Sequence, residues 1–120
     1  ANNIYFSVHE SSGEWSNAEK KNQNEINPLE YNLYTGVADA SNQRILLYVN
    51  GKLVGKNKWD GSFFGKSLKA TVGVRNPNWD TQMRGNIDAI IDEVRLYNRA
   101  LSADEVKELY LFSSAFPPAE

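Results

Sequence analysis

The chain predicts a soluble, mostly β domain with one short helix near its end, and three observations carry that expectation. Apolar and polar residues alternate through several short runs. An Asn50-Gly51 pair stands between two of those runs. A single helix-start signature lies at Leu101 to Val106. Strict alternation sends successive side chains to opposite faces, the pattern of a half-buried strand. Asn-Gly accepts positive φ at both central positions, as a two-residue type I′ hairpin requires.

The first strand is expected where Ile4, Phe6 and Val8 alternate with Tyr5, Ser7 and His9. Residues 11–28 are polar and rich in Asn, Glu and Lys, with Trp15 as their main aromatic. They read as one long loop with a brief helical turn near residues 18–21, and loops of that length often carry function. Residues 31–38 form the next strand and 39–43 a polar turn. Residues 44–54 form the clearest hairpin. Its turn sets Tyr48 opposite Leu53 and Leu47 opposite Val54, with Ile45, Leu47 and Val49 on the core face. Residues 56–69 are a second long connection, holding Trp59, Phe63 and Phe64. Strands are expected again at 68–74 and at 87–97.

The terminal helix is the most strongly specified element. Ser102 is a natural N-cap and Glu105, three residues on, completes a capping box. Leu101 and Val106 occupy the two positions of a hydrophobic staple. Val106, Leu109 and Tyr110 share one apolar face. The domain is expected to span residues 1–112, with 113–120, containing Pro117-Pro118, as a tail or linker.

Composition narrows the classes. A chain of 120 residues fits one domain. With 41% hydrophobic and 23% charged residues it can bury a core and is not a disordered chain. A formal net charge of -2 argues against a nucleic-acid partner, which needs a basic stripe. No apolar run approaches the ~20 residues of a membrane span. With no cysteine there is no disulfide, thiolate metal site or cysteine nucleophile. The single histidine, His9, rules out a histidine metal cluster and has no Ser or Asp partner in sequence. It reads as an exposed strand residue. The scattered lysines read as solvated faces.

The side chains best suited to a ligand are aromatics in loops. Sugars stack their C–H faces on Trp and Tyr and pair their hydroxyls with amides, acids and guanidinium groups. Arg75, Asn76, Asn78, Trp79 and Asp80 place cation, amides, aromatic and acid in one predicted loop, the first candidate for a sugar-contacting rim. Trp59 and Asp60 are the second, and Trp15 the third. The alternative for each tryptophan is that it covers an end of the core.

The segment Ile91 to Tyr110, IDEVRLYNRALSADEVKELY, closely resembles the end of a laminin-G-like domain of the concanavalin A-like lectin/glucanase superfamily. There a G-x-IDEVR strand leads through NRALS into a short helix. GVADASNQRILLYVNGKLVG (Gly36 to Gly55) resembles the family's central hairpin, and ATVGVRNPNW (Ala70 to Trp79) the strand and loop before its last one. The resemblance covers residues 29–111. It implies an all-β, antiparallel jelly-roll β-sandwich. The opening strands usual in the family are not visible, so the chain is expected to begin inside the domain, near Ile4.

The resemblance also implies function. The expectation is a non-catalytic carbohydrate-binding or adhesion module of a secreted or cell-surface protein, bacterial or archaeal, with a polysaccharide or glycan as partner. It would be part of a larger secreted protein, with a glycoside hydrolase as one such parent. A hydrolase needs carboxylates at alternate strand positions. Here Asp88 and Asp92 flank Ile90, where a catalytic carboxylate would stand, so the acid/base set is broken. Many relatives hold one structural calcium, and Asp92 is the carboxylate to test, with Asp88 and Asp80 as helpers. The alternative for Asp92 is a buried, hydrogen-bonded acid pinning the last strand. A structural role, with self-association through exposed sheet edges, is the other class.

Overall fold

A computed structural model describes residues 4–21, 26–27, 29–65, 72 and 90–115. Five strands and one helix follow in order: β1 (Ile4–His9), β2 (Trp15–Lys20), β3 (Tyr34–Asp39), β4 (Arg44–Val49), β5 (Lys52–Lys58) and α1 (Ala103–Ala115). β1 and β2 pair antiparallel. The other three form an antiparallel sheet in the order β3-β4-β5. The fold is a mostly β, two-sheet antiparallel sandwich with one short helix.

β4 lies at the centre and is buried on both faces, from Ile45 to Val49. Ile45 and Leu47 face β1 and β2 and cluster with Val8, Ala18 and Trp59. Leu46 and Tyr48 face the other way and cluster with Val37, Leu101 and Val106. The expected core face holds, and the opposite face is core as well because α1 covers it.

The hairpin turn is as the sequence requires. Asn50 and Gly51 take φ of 52° and 78°. Asn50 also anchors the entry to β3. Its N–H donates to Leu33 O (2.8 Å) and its Oδ1 accepts from Leu33 N (2.9 Å). Tyr48 pairs with Leu53 as expected, but Leu47 pairs with Gly55 and not Val54. A bulge takes up the extra residue, and bulges of this kind bend a strand and re-aim its side chains.

That shift sets a row of Gly36, Leu47 and Gly55 across the sheet. The glycines are where the second layer comes closest. A Cβ on Gly36 would meet the Phe6 ring at 2.4 Å, and one on Gly55 would meet Glu19 O at 2.7 Å. Leu47 therefore stands as a knob between two notches. β1 settles into one through Phe6, and β2 settles into the other through its backbone.

Residues 15–20 are a strand, not the loop their polarity suggested. The inward positions of WSNAEK begin with Ser16 and Ala18, and both are buried. Small inward residues hide the alternation that larger ones would have shown. Cross-strand pairing supplies what propensity did not, with Ser16 opposite Val8 and Ala18 opposite Phe6.

The last expected strand is also corrected over its described part. Residues 90–97 form no strand. Ile90 and Leu96 are 81% and 85% exposed, and Glu93 takes a φ of 50° that breaks an extended run. Apolar alternation supplies a face but not the neighbour whose backbone must complete the ladder. Of the strand expected at 68–74, only exposed Val72 lies within the described residues.

The helix start matches its signature. Glu105 N donates to Ser102 Oγ (3.2 Å) and Ser102 N donates to Glu105 Oε1 (3.0 Å), both halves of the capping box. Leu101 and Val106 are buried together. Each such side chain contributes roughly 1.5–3 kcal/mol when fully buried. The helix runs to Ala115, past residue 112 where the domain was expected to end.

Candidate functional site

Two connections meet at one end of the sandwich. The β1–β2 turn is tight: Glu10 N donates to Glu14 O (2.8 Å) and Gly13 N to Glu10 O (3.0 Å). Gly13 sits at φ 93°, which glycine adopts without steric cost. Residues 59–65 leave β5 and return over this turn. Phe64 N donates to His9 O (2.8 Å) and Ser11 N to Ser62 Oγ (3.1 Å).

A small polar network fixes the return. Asp60 Oδ1 accepts from Ser62 N (2.8 Å) and lies 2.5 Å from Ser62 Oγ. Ser62 Oγ is also 2.9 Å from Ser11 Oγ. A hydroxyl has one proton to give, and the carboxylate is the stronger acceptor, so Ser11 donates to Ser62. The Ser62 hydroxyl and then its backbone N–H hold the Asp60 carboxyl below the usual carboxylate range. Asp60 is therefore an ionised acceptor at neutral pH, not a proton donor.

Three rings stack beside this network. His9 and Trp15, directly opposite across the strands, lie 4.3 Å apart with planes 4° from parallel. His9 and Phe64 lie 4.2 Å apart at 15°. Two rings this close and this parallel to one imidazole cannot share a face without overlapping. His9 is thus the middle of a Trp15–His9–Phe64 sandwich. Its Nε2 donates to Gly13 O (3.2 Å), which fixes the ring edge. Trp15 stays 48% exposed. One of its faces rests on His9, and among the described residues no ring covers the other.

The expected site residues divide accordingly. Trp15 and Asp60, distant in sequence, come to the same rim. Trp59 does not serve as an exposed platform. It is 3% exposed, in the core with Ile45 and Leu47, and its Nε1 donates to Ser62 O (2.7 Å). The physical reason is its position at the end of β5, under the return of 60–65, where an apolar ring closes the open end of the sandwich. Arg75, Asn76, Asn78, Trp79 and Asp80 lie outside the described residues. His9 and Phe64 were not expected at the site. For His9 a signal existed, since Ser12-Gly13 between two runs is a hairpin turn. For Phe64 there was none.

Asp92 is exposed, and its Oδ1 accepts from Glu93 N (2.9 Å), so the buried-acid alternative for it does not hold. Calcium takes six to eight oxygens. Among the described residues no three metal-ligating side chains gather, and Asp80 and Asp88 fall outside them. Asp92 alone does not make a calcium site. Arg95 pairs with Glu93 (2.8 Å).

Two shallow depressions, of about 420 and 460 Å³, flank the start of α1. Of their charged groups, Asp39, Arg44, Arg99 and Glu105 are already paired. Asp39 takes bonds from Asn42 (2.8 Å) and Arg44 (3.2 Å), and Arg99 forks onto the Glu105 carboxylate. No described helix is long and apolar enough to cross a membrane.

Comparison with known proteins agrees with this architecture. One crystal structure, an S-layer domain-containing protein (residues 221-444) from Clostridium thermocellum ATCC 27405, superposes with a TM-score of 0.53 at 22% identity. The match covers 90% of this chain and 51% of that one, so the chain spans about half its length. No curated protein matches in sequence. A laminin G family model, described as the concanavalin A-like lectin/glucanases superfamily, matches residues 1–107. The chain belongs to the concanavalin A-like lectin/glucanase superfamily.

Proposed function

We propose that the chain is a non-catalytic glycan-binding module whose platform is the outer face of Trp15. The observation that supports it best is the Trp15–His9–Phe64 stack. A tryptophan half in water, held parallel to its cross-strand partner, is a flat apolar surface already ordered before a ligand arrives. Pre-ordering lowers the entropy cost of binding. Sugar C–H faces match such a ring, and the rim beside it offers Asp60 and Ser11 as hydrogen-bonding groups.

The non-catalytic part of this reading rests on Asp60 and His9. Asp60, its carboxyl held below the usual range by Ser62, is a poor proton donor to a leaving group. His9 is covered on both ring faces, and its Nε2–H is taken by Gly13 O. A secreted or cell-surface location belongs to the same proposal, and the S-layer protein neighbour is in keeping with it.

The test is retention on a panel of immobilised polysaccharides, with calcium and again with chelator. Trp15→Ala is expected to abolish retention while the domain stays folded, since only the stack on His9, worth about 0.5–1.5 kcal/mol, is lost. Retention that survives Trp15→Ala would sink the platform. Loss with chelator in the wild type would assign a metal, with Asp92 the first residue to substitute.

A second reading, assembly between copies, is favoured by one observation. Residues 90–97 hold Ile90, Val94 and Leu96 in water with no strand neighbour among the described residues. Unpaired backbone beside apolar side chains is a template for strand addition. A mass that rises with concentration in light scattering supports it, and a constant monomer mass excludes it.

A further inference from the structure

We infer that the depression of about 460 Å³ between the β3–β4 turn and the start of α1 is a second ligand site, one that takes a neutral, hydroxyl-rich ring of sugar size. It does not rest on the Trp15 platform and shares none of its residues.

The β3–β4 turn makes one wall. β3 ends at Asp39 and β4 begins at Arg44, paired across the strands. Between them Gln43 N donates to Ala40 O (3.2 Å), and Gln43 takes a φ of 50°. This tight turn brings Asn42 back onto Asp39. Asn42 N donates to Asp39 Oδ1 (3.3 Å), Asn42 Nδ2 to Asp39 Oδ2 (2.8 Å) and Arg44 Nε to the same Oδ2 (3.2 Å). The Asn42 amide, and after it Arg44, hold the Asp39 carboxyl below the usual carboxylate range, against the opposing effect of burial.

Those bonds orient the groups without using them up. Asp39 Oδ1 keeps acceptor capacity, and the two terminal nitrogens of half-exposed Arg44 keep their N–H donors. A carboxylate acceptor beside guanidinium donors suits two adjacent sugar hydroxyls, one giving its proton and the other receiving.

Tyr48 on the floor is the second, independent observation. It is 5% exposed, and of the two depressions it lines this one alone. Among the described residues no fully buried side-chain polar atom lacks a partner, and the Tyr48 hydroxyl has none. The hydroxyl is therefore within reach of solvent, and the depression is the opening that Tyr48 lines. A buried tyrosine ordinarily bonds its O–H to a protein group. Here that bond is left for a ligand. Leu46 and Leu101, in the same cluster as Tyr48, offer apolar surface to ring C–H groups.

Charge and size narrow the ligand. Asp39 is matched by Arg44, and Glu105 by Arg99. With those charges matched, the site favours neither an anion nor a cation. A volume of about 460 Å³ lies in the lower part of the roughly 300–1,000 Å³ of small-molecule sites and holds a sugar ring with its hydroxyls. The depression is shallow, so a Kd on the order of 1 mM is expected. Such a site cannot hold the chain on a column by itself, and retention on polysaccharide still reads Trp15.

The experiment is an amide-shift NMR titration of the whole chain with the methyl glycosides of glucose, galactose, mannose and xylose, and with glucuronate and glucosamine as charged controls. At least one neutral glycoside is expected to shift the Asn42, Arg44 and Ser102 amides saturably and to bind more tightly than either control. Tyr48→Phe keeps the ring and removes the hydroxyl. It should weaken binding about fivefold and leave the unfolding midpoint unchanged. Arg44→Gln should weaken binding about tenfold. In Trp15→Ala the same amides should shift as in the wild type, which separates this site from the platform. The inference fails if no neutral glycoside moves these amides, if a charged control binds as tightly as the neutral series, or if Tyr48→Phe binds like the wild type. A Tyr48→Phe midpoint that falls would show the hydroxyl bonded within the fold, and that also overturns it. None of these outcomes bears on Trp15, whose test is retention.

Discussion

β4 is covered on its two faces by layers that the chain specifies in different ways. On one side α1 covers Leu46 and Tyr48, held by a capping box and a staple that lie within five residues of each other. On the other side β1 and β2 cover Ile45 and Leu47, held by contacts between residues far apart: Phe6 with Gly36, Glu19 with Gly55, Ser16 with Lys58 O. The helical cover is built from local chemistry. The hairpin cover is built from shape. The Trp15 platform lies on the second, so the proposed aromatic site stands on the part of the molecule with the least local signal.

The sharpest way to break that comparison is at the two tryptophans of the hairpin side. Trp59→Ala removes a buried ring that closes the end of the core and is expected to cost about 3–5 kcal/mol. Denaturant unfolding should show the midpoint falling steeply, with any loss of binding following from unfolding. Trp15→Ala should lower the midpoint far less, by the loss of one half-exposed stack worth about 0.5–1.5 kcal/mol. Equal midpoints for Trp59→Ala and the wild type would mean that the ring is not core and that the two layers are not closed by it.

The second prediction concerns the notches. Gly55→Ala places a Cβ against the Glu19 backbone, which can move only with its strand, and overpacking of this kind costs about 1–3 kcal/mol. Gly36→Ala meets the half-buried Phe6 ring, which can turn aside, so its cost should be smaller despite the shorter starting distance. Neither glycine has positive φ, so the expected loss is steric and not conformational. Urea midpoints for the two variants give the order directly. The reverse order would show that the layers are positioned by the Phe6 ring and not by the approach of β2.

What the chain disclosed before folding follows the same division. The Asn50-Gly51 hairpin, the capping box and the staple were legible because each needs only neighbours in sequence. The family resemblance carried the sandwich. β2 was not legible, since Ser16 and Ala18 are too small and too polar to announce an inward face. The bulge that pairs Leu47 with Gly55 was not legible either, because it answers to Glu19 in another layer. At 90–97 the opposite error arose, a strand pattern without a partner strand among the described residues. Of the candidate site, Trp15 and Asp60 were found by residue type, but their meeting depends on residues 60–65 folding back over the β1–β2 turn. Trp59 differs from Trp15 only in where the chain puts it.

The smallest effects belong to the helical cover, and they test whether it is local in the sense argued. Ser102→Ala deletes the N-cap and should cost about 1 kcal/mol, with the hairpin layer and its aromatic stack unchanged. The pH dependence is also local. Arg99, and after it the Ser102 backbone N–H, lowers the Glu105 pKa from 4.5 to about 2. A depressed acid stabilises the fold above its unfolded pKa and loses that contribution as pH falls through the folded one. The helix end should therefore weaken between about pH 4.5 and pH 2, and only there on account of this group. Carbon NMR titration of the Glu105 carboxyl should report the low value in the wild type. In Arg99→Gln the value should move back toward the ordinary glutamate range, with the capping bonds still in place. The exposed ion pair adds little to global stability, so the titration is the decisive measurement. A Glu105 carboxyl that titrates normally in the wild type would show that the fork between Arg99 and Glu105 does not persist in solution, leaving the cap and the staple to hold α1 against β4.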